Sequence, residues 1–371
     1  MRLFYNADVK TWDVIIVGGG IIGLSLALAL RKRGAAVLVV ERGEPGREAS
    51  HAAGGMLVDC QFETPAALQL LASASARMYP EFAHALELES GLQVDLRDQG
   101  TILFPSPAHL HHLSLKNAAP VPLPELEPAL AGRDAFLLKE RSVDPRALSA
   151  AAWKAAKLRG VDFSSGDPVT TVNLVDGRVT GVITSKTTLL AAKVVNCAGA
   201  WSGQITVGQI TSRQTATAQG PIPTIPTRPV KGQMLCLAMP SPSLLRHVVR
   251  APEAYLIPRS NGRLLVGATV EEAGFDKRTD PDTIQSLHRA AIKLVPELRN
   301  AKILEDWAGL RPGTPDALPI LGATATPGYY VATGHFRDGI LLAPVTAKVM
   351  ADVITGVQPE HDLTPFSPDR F

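Results

Sequence analysis

Val14-Ile15-Ile16-Val17-Gly18-Gly19-Gly20-Ile21-Ile22-Gly23 is an apolar run that stops at a Gly-x-Gly-x-x-Gly turn. A helical pattern then leads to a second apolar run, Val37-Leu38-Val39-Val40-Glu41, which ends in an acid. Strand, turn, helix, strand and acid in this order describe a βαβ unit that binds a dinucleotide. Gly18 permits the tight turn, Gly20 lets the backbone approach a pyrophosphate, and Gly23 lets the helix pack closely on the strand. Ile21 and Ile22 open the helix, whose unpaired N–H groups and positive dipole end face the phosphates. Glu41 lies about 20 residues on, where a carboxylate holds a ribose 2′-hydroxyl. A membrane span is the competing reading, because Val14 to Leu30 is almost unbroken apolar sequence followed by Arg31-Lys32-Arg33. The run is slightly short of the ~20 residues a span needs. A βα unit buried on both sides explains the same hydrophobicity.

The chain has 371 residues, enough for two domains or one large interleaved pair. A hydrophobic content of 46% with 19% charged residues describes a soluble, well-packed protein. The net charge of +2, with no basic run longer than Arg31-Lys32-Arg33, does not point to nucleic acid. Cys60, Cys197 and Cys236 are odd in number and lack metal-type spacing. Reduced thiols, a cytoplasmic setting and no metal are therefore expected. Neither a cleavable signal peptide nor an integral membrane segment is expected.

Outward from the opening unit, a helical pattern runs from about Pro65 to Glu89, and residues 92–104 read as short strands around Gly100. Asp144-Pro145 starts a helix that Gly160 ends. Strands are predicted at 169–174 and 179–184 around an Asp176-Gly177 hairpin turn. Ala192 to Cys197 reads as a buried strand running into Ala198-Gly199. Residues 211–229, rich in Thr, Pro and Gln, read as a long loop. Strands at 234–237, 254–258 and 263–269 belong to a second, more antiparallel sheet, and Asp280-Pro281 starts another helix. Tyr329 to Thr333 is a strand, 334–339 a glycine turn and 340–355 a helix. Three strand-to-glycine corners thus lie far apart in sequence, at Gly18, Ala198-Gly199 and Gly334. One doubly wound sheet would bring them together at the carboxyl ends of its strands.

Three further stretches carry a family resemblance: Ala49-Ser50-His51-Ala52-Ala53-Gly54-Gly55-Met56-Leu57, Gly309-Leu310-Arg311-Pro312-Gly313-Thr314-Pro315-Asp316, and Gly334-His335-Phe336-Arg337-Asp338-Gly339-Ile340-Leu341-Leu342-Ala343-Pro344. The chain resembles the D-amino-acid oxidase family of flavoproteins over nearly its whole length. Within that family it is most similar to the glycine oxidases that serve thiazole synthesis in bacterial thiamine pathways. The resemblance implies an α/β fold: an interleaved Rossmann-like FAD-binding domain from 1–90, 144–212 and 302–371, and a mixed, largely antiparallel-sheet substrate domain from 91–143 and 213–301. It implies FAD as cofactor; the residues alone leave NAD open. It also implies oxidative deamination of glycine, sarcosine, D-alanine or D-proline by hydride transfer to FAD. Imine or 2-oxo acid, ammonia and hydrogen peroxide follow, with oxygen as acceptor. A homo-oligomer fits the relatives. The alternatives are a D-amino-acid or cyclic-amine dehydrogenase using another acceptor, and a non-catalytic flavin-binding subunit.

By the same resemblance, cofactor contacts come from Gly18, Gly20, Ile21, Ile22, Gly23, Glu41 and Arg42 in the opening unit. Ser50, Ala53, Gly54, Gly55 and Met56 follow, then Val169, Ala198, Gly199 and Trp201. Gly309, Arg311, His335, Arg337, Asp338, Gly339 and Ile340 complete the set. The small residues of 49–55 let backbone pass close to pyrophosphate and ring. A helix starting after Gly339 puts a positive dipole end where negative charge grows on flavin reduction. An acid at Glu41 disfavours a 2′-phosphate.

An amino acid needs a cation of fixed geometry for its carboxylate, and the resemblance implies Arg311, set in what reads as an uncharged turn. Tyr255 is implied as its assistant. Arg337 fits either the substrate end or a structural pair with an acid. Met56 fits either a place over the ring or the core. His335 is expected to offer its backbone N–H while its imidazole packs. No side-chain base is required, since the substrate's ammonium loses its proton to solvent. Val270 and Glu253 depart from the family pattern, which has methionine and histidine there, so the substrate preference stays open.

Overall fold

The computed structural model describes residues 10–59, 64–106, 119–120, 122–130, 135–208 and 224–371. Thr11–Val17 lies parallel to Val37–Glu41 on one side and to Thr188–Asn196 on the other. Thr188–Asn196 in turn lies parallel to Tyr329–Thr333. The register aligns Val17 with Asn196, and Asn196 with Val331. The three glycine corners expected from the sequence therefore stand side by side at one end of a nine-stranded sheet. The sheet is mixed, because Arg178–Thr184 and Ile320–Ala323 pair antiparallel within it, and the buried Val, Ile and Leu strands at its centre are what a parallel region covered on both faces demands. Helices Ile21–Lys32, Gln69–Ser90, Pro145–Leu158 and Gly339–Thr355 cover one face, with Leu24, Leu28, Ala152, Leu342 and Val345 in a single core. Asp144 caps Pro145–Leu158 by accepting from the N–H groups of Arg146 and Ala147. The Asp176-Gly177 turn has φ of 49° and 75°, as a two-residue hairpin of this hand requires.

The second sheet has eight strands, mostly antiparallel. Among the described residues its one parallel pair joins Val248–Arg250 to Thr101–Leu103. Strand alternation gives it two distinct faces. Leu235, Leu237, Leu256, Leu264 and Val266 pack on one side against Ile284, Leu287, Ala291 and Leu294 of helix Pro281–Leu294. Met234, Cys236, Ile257 and Leu265 lie on the other, with Met56, Tyr255 and Trp307 packed against them.

Three expectations change here. The strand read at 234–237 is Arg228–Ala238, so it begins inside the expected loop; residues 209–223 lie outside the described residues. The glycine–proline stretch around Arg311 is not a turn but part of the strand Ile303–Gly313, paired with Arg228–Ala238. That strand, expected with the opening unit, is the edge of the second sheet. An edge tolerates Pro312, and Gly309 marks a close approach: a Cβ there would stand 2.3 Å from that of Ala52. Residues Ala49–Ala52 form a short helix that small residues alone did not announce. No helix among the described residues is long and apolar enough to cross a membrane.

Candidate active site

A cavity of about 970 Å³ opens between the glycine corners of the first sheet and the Met234–Tyr255 face of the second. Every expected cofactor and substrate residue named above lines it except Gly23. Gly23 stands behind the wall, where a Cβ would fall 2.1 Å from the Gly18 carbonyl oxygen. It fits helix to strand and does not face the cavity.

The nucleotide end is built from the opening unit. Gly18 has a φ of 109°, and a Cβ there would sit 2.4 Å from the Cys197 carbonyl oxygen, so neighbouring corners touch through backbone. Ser50 Oγ accepts from the Ile21 N–H at 2.9 Å. The Ile22 and Gly23 N–H groups, in the first helical turn, have no intrahelical acceptor. Glu41, 7% exposed, accepts from the N–H of Gly19 at 2.7 Å and of Gly43 at 2.9 Å. Its carboxylate is thus held before any ligand arrives, with lone pairs to spare. The Arg42 guanidinium lies 3.8 Å over the Trp201 ring, and Phe275 packs against that ring at a tilt of 33° with centroids 5.4 Å apart. A second helix N-terminus, at Gly339–Thr355, also meets the cavity. Two helix starts, glycines that leave the cavity wall bare of side chains and an oriented carboxylate suit a dinucleotide with a pyrophosphate and a ribose. Among the described residues no cluster could hold a metal ion.

Residues 49–56 run between the two sheets and are fastened from below. Trp307 Nε1 donates to the Ala52 carbonyl at 3.1 Å, and Arg146 Nε to the His51 carbonyl at 3.3 Å. Burial, with Arg146 and Arg47 nearby, lowers His51 to about 4. His335 is 3% exposed, with Nε2 3.1 Å from Thr346 Oγ1, and burial lowers it to about 3. A neutral imidazole filling space agrees with its expected packing role.

At the other end, Arg311 Nη1 donates to the carbonyls of Lys231 and Thr269, at 3.2 and 3.1 Å. Burial lowers its pKa, while Tyr255 opposes that shift and Arg337 adds to it. The guanidinium makes no ion pair among the described residues. Burial raises the Tyr255 phenol, against the pull of Arg311. Two glycines that the sequence did not single out create this corner. A Cβ on Gly267 would stand 2.6 Å from the Tyr255 hydroxyl, and one on Gly232 would collide with the Arg311 guanidinium. A glycine inside an apolar strand was the available signal, although its partner was not readable. Met56, Ala268 and Val270 complete the wall. Arg337 is exposed on the cavity rim, 5.3 Å over Phe336. Glu253 instead pairs with Lys293 at 3.1 Å.

Residues 13–353 match the family model described as DAO, FAD dependent oxidoreductase. The glycine oxidase of Pseudomonas putida is 33% identical over 96% of this chain and 98% of its own length. The bifunctional protein ThiO/ThiG of Trichormus variabilis is 35% identical over 97% of this chain. The chain spans only 55% of that bifunctional relative's length. The crystal structure of glycine oxidase from Geobacillus kaustophilus superimposes with a TM-score of 0.87 at 30% identity, covering 97% of this chain and 99% of that one. A chain with this cavity, matched by the family model almost from end to end, belongs to the DAO family of FAD-dependent oxidoreductases.

Proposed function

We propose that the protein is a flavoprotein amino-acid oxidase whose substrate is glycine or an amine little larger, such as sarcosine, D-alanine or D-proline. The observation that carries this reading is Arg311, a partly buried cation that faces the cavity without an acid partner among the described residues. A charge held away from water needs an anion, and a guanidinium fork suits a carboxylate. Tyr255 adds a hydroxyl beside it. With one end of the substrate clamped, its α-carbon is held in place, which supplies much of the rate. Met56, Ala268 and Val270 limit what the α-carbon or nitrogen can carry. FAD, when bound, would supply the acceptor for a hydride, one proton with two electrons, from that carbon. Glu41 and the two helix starts hold its ribose and pyrophosphate in this reading, with Arg42 and Trp201 flanking the nucleotide end.

For glycine or D-alanine the imine then hydrolyses to a 2-oxo acid and ammonia, sarcosine releases methylamine instead, the cyclic imine of D-proline keeps its nitrogen, and oxygen takes the electrons to give hydrogen peroxide. The glycine oxidase and ThiO/ThiG relatives support a place in thiazole formation for thiamine. We assign FAD to the part of the chain around the nine-stranded sheet and substrate to the eight-stranded one. We also place the protein in the cytoplasm, as a homo-oligomer. The test is anaerobic mixing of the yellow protein with glycine, sarcosine, D-alanine and D-proline, watching the flavin absorbance. Bleaching by one of them, followed by peroxide release in air, is expected. No bleaching by any sinks the reading, and dye reduction without peroxide makes the protein a dehydrogenase.

A further inference from the structure

Arg259 is buried to 2% exposure at the end of the strand Tyr255–Pro258, and nothing above uses it. Tyr255, Ile257 and Arg259 alternate on the sheet face that meets residues 49–56, and all three close on Gly54. A Cβ on Gly54 would stand 2.7 Å from Ile257 Cδ1 and 3.5 Å from the Tyr255 ring. Arg259 Nη2 donates to the Gly54 carbonyl at 2.5 Å. The other guanidinium nitrogens, Nε and Nη1, are buried without a hydrogen-bond partner. Asp144 and Asp95 are the acids that act on the guanidinium, and both are engaged elsewhere. Asp144 caps its helix, and Asp95 accepts from the backbone and hydroxyl of Ser260. Arg97 and Arg263 add further positive charge. Burial lowers the guanidinium to about 10, which leaves it charged at neutral pH. A charge this poorly compensated is a burden on stability.

The peptide it holds has a second end. Gly54–Gly55 is a trans peptide, so its carbonyl and its N–H point in opposite directions. The carbonyl is drawn to Arg259, and the Gly55 N–H is turned away from it. That N–H meets no acceptor among the described residues, and both glycines line the cavity.

We infer that Arg259 is a positioning residue for the cofactor's charge: it fixes and polarises the Gly54–Gly55 peptide so that the Gly55 N–H is offered to the negative charge FAD gains on reduction. The inference rests on the FAD reading above. Two electrons and one proton entering FAD leave it with one added negative charge. A preoriented donor backed by a buried cation stabilises that charged form more than the oxidised one. Arg259 therefore favours reduced FAD without touching substrate.

The test compares the midpoint potential of FAD bound to the wild-type holoprotein and to the Arg259→Met and Arg259→Lys variants. Reduction is by xanthine and xanthine oxidase against a reference dye, with thermal unfolding followed in parallel. The Met variant is expected to stay folded and yellow. Its ratio of reduced to oxidised FAD at a given potential falls at least tenfold, about 30 mV for a two-electron couple. The Lys variant keeps the charge and stays within about threefold of wild type. Equal potentials in all three proteins overturn the inference. So does an equal fall in both variants, or loss of folded yellow protein in both, because shape and not charge would then be the role. If only the Met variant fails to fold, Arg259→Gln replaces it under the same criteria. A wild-type protein that takes up no FAD fails the underlying reading instead.

Discussion

Gly232 and Arg311 lie on paired strands, and a Cβ at position 232 would stand 2.4 Å from both terminal guanidinium nitrogens. The head of one residue occupies the space that the other leaves by having no side chain. Gly232→Ala should therefore displace Arg311 while leaving the nucleotide end alone. The expected result is a KM for glycine raised about tenfold or more, from loss of a charge-assisted bond, with FAD content unchanged. Steady-state kinetics with a flavin absorbance spectrum decides it, and an unaltered KM would refute the relationship.

Arg311→Met removes the cation but keeps much of the apolar stem. Charge-assisted hydrogen bonds are worth about 1.5–3 kcal/mol, so kcat/KM for carboxylate substrates should fall about 10- to 150-fold. A small amine without a carboxylate should react no worse than before. If both substrate types suffer alike, Arg311 is holding the site's shape instead of an anion.

Gly20 and Gly23 separate ligand space from packing space. A Cβ on Gly20 meets only Ser50 Oγ, at 3.3 Å, whereas one on Gly23 meets backbone at 2.1 Å. Gly20→Val should yield colourless protein with an apoprotein melting temperature close to wild type. Gly23→Val should melt markedly lower. Absorbance near the flavin band and a thermal melt of each apoprotein check both halves. A yellow Gly20→Val protein would contradict the pyrophosphate cradle.

His335 gives a pH signature. Its folded-state pKa is about 3, against an ordinary value of 6.5. Between those values the unfolded chain binds a proton that the folded chain refuses, so stability falls as pH falls from 6.5 toward 3. Above 6.5 the group contributes nothing to the slope. His335→Gln should be less stable than wild type at pH 7.5 by about 1 kcal/mol, through its altered bond to Thr346. At pH 5 that gap should shift in the variant's favour by about 2 kcal/mol, from 1.5 pH units at 1.36 kcal/mol each. His51, lowered to about 4, keeps part of the acid sensitivity in both proteins. Urea unfolding at the two pH values measures the gap, and a constant gap would contradict the assignment.

The glycine corners were legible in the sequence because each lies between an apolar run and a helical pattern, where a turn needs φ that only glycine adopts easily. Asp144-Pro145 and Asp280-Pro281 were legible because a cap is local chemistry. The strand carrying Arg311 was not. Gly309 and Pro312-Gly313 have turn composition, and only pairing with residues some 80 positions away makes them an edge strand. Gly232 and Gly267 could be seen as strand glycines, but what fills the space beside them comes from other strands. The supports under residues 51, 52 and 54 were hidden for the same reason: Arg146, Trp307 and Arg259 are remote in sequence from the carbonyls they hold.

The parallel alignment of Thr11–Val17, Thr188–Asn196 and Tyr329–Thr333 also governs biosynthesis. The first corner leaves the ribosome before the other two, which are translated about 180 and about 316 codons later. Until the second corner emerges, the first strand has only its local partner Val37–Glu41, and its other edge is open. A nonsense mutation before codon 329 leaves the pocket without its last wall, so flavin loading belongs to the period after translation has passed that point.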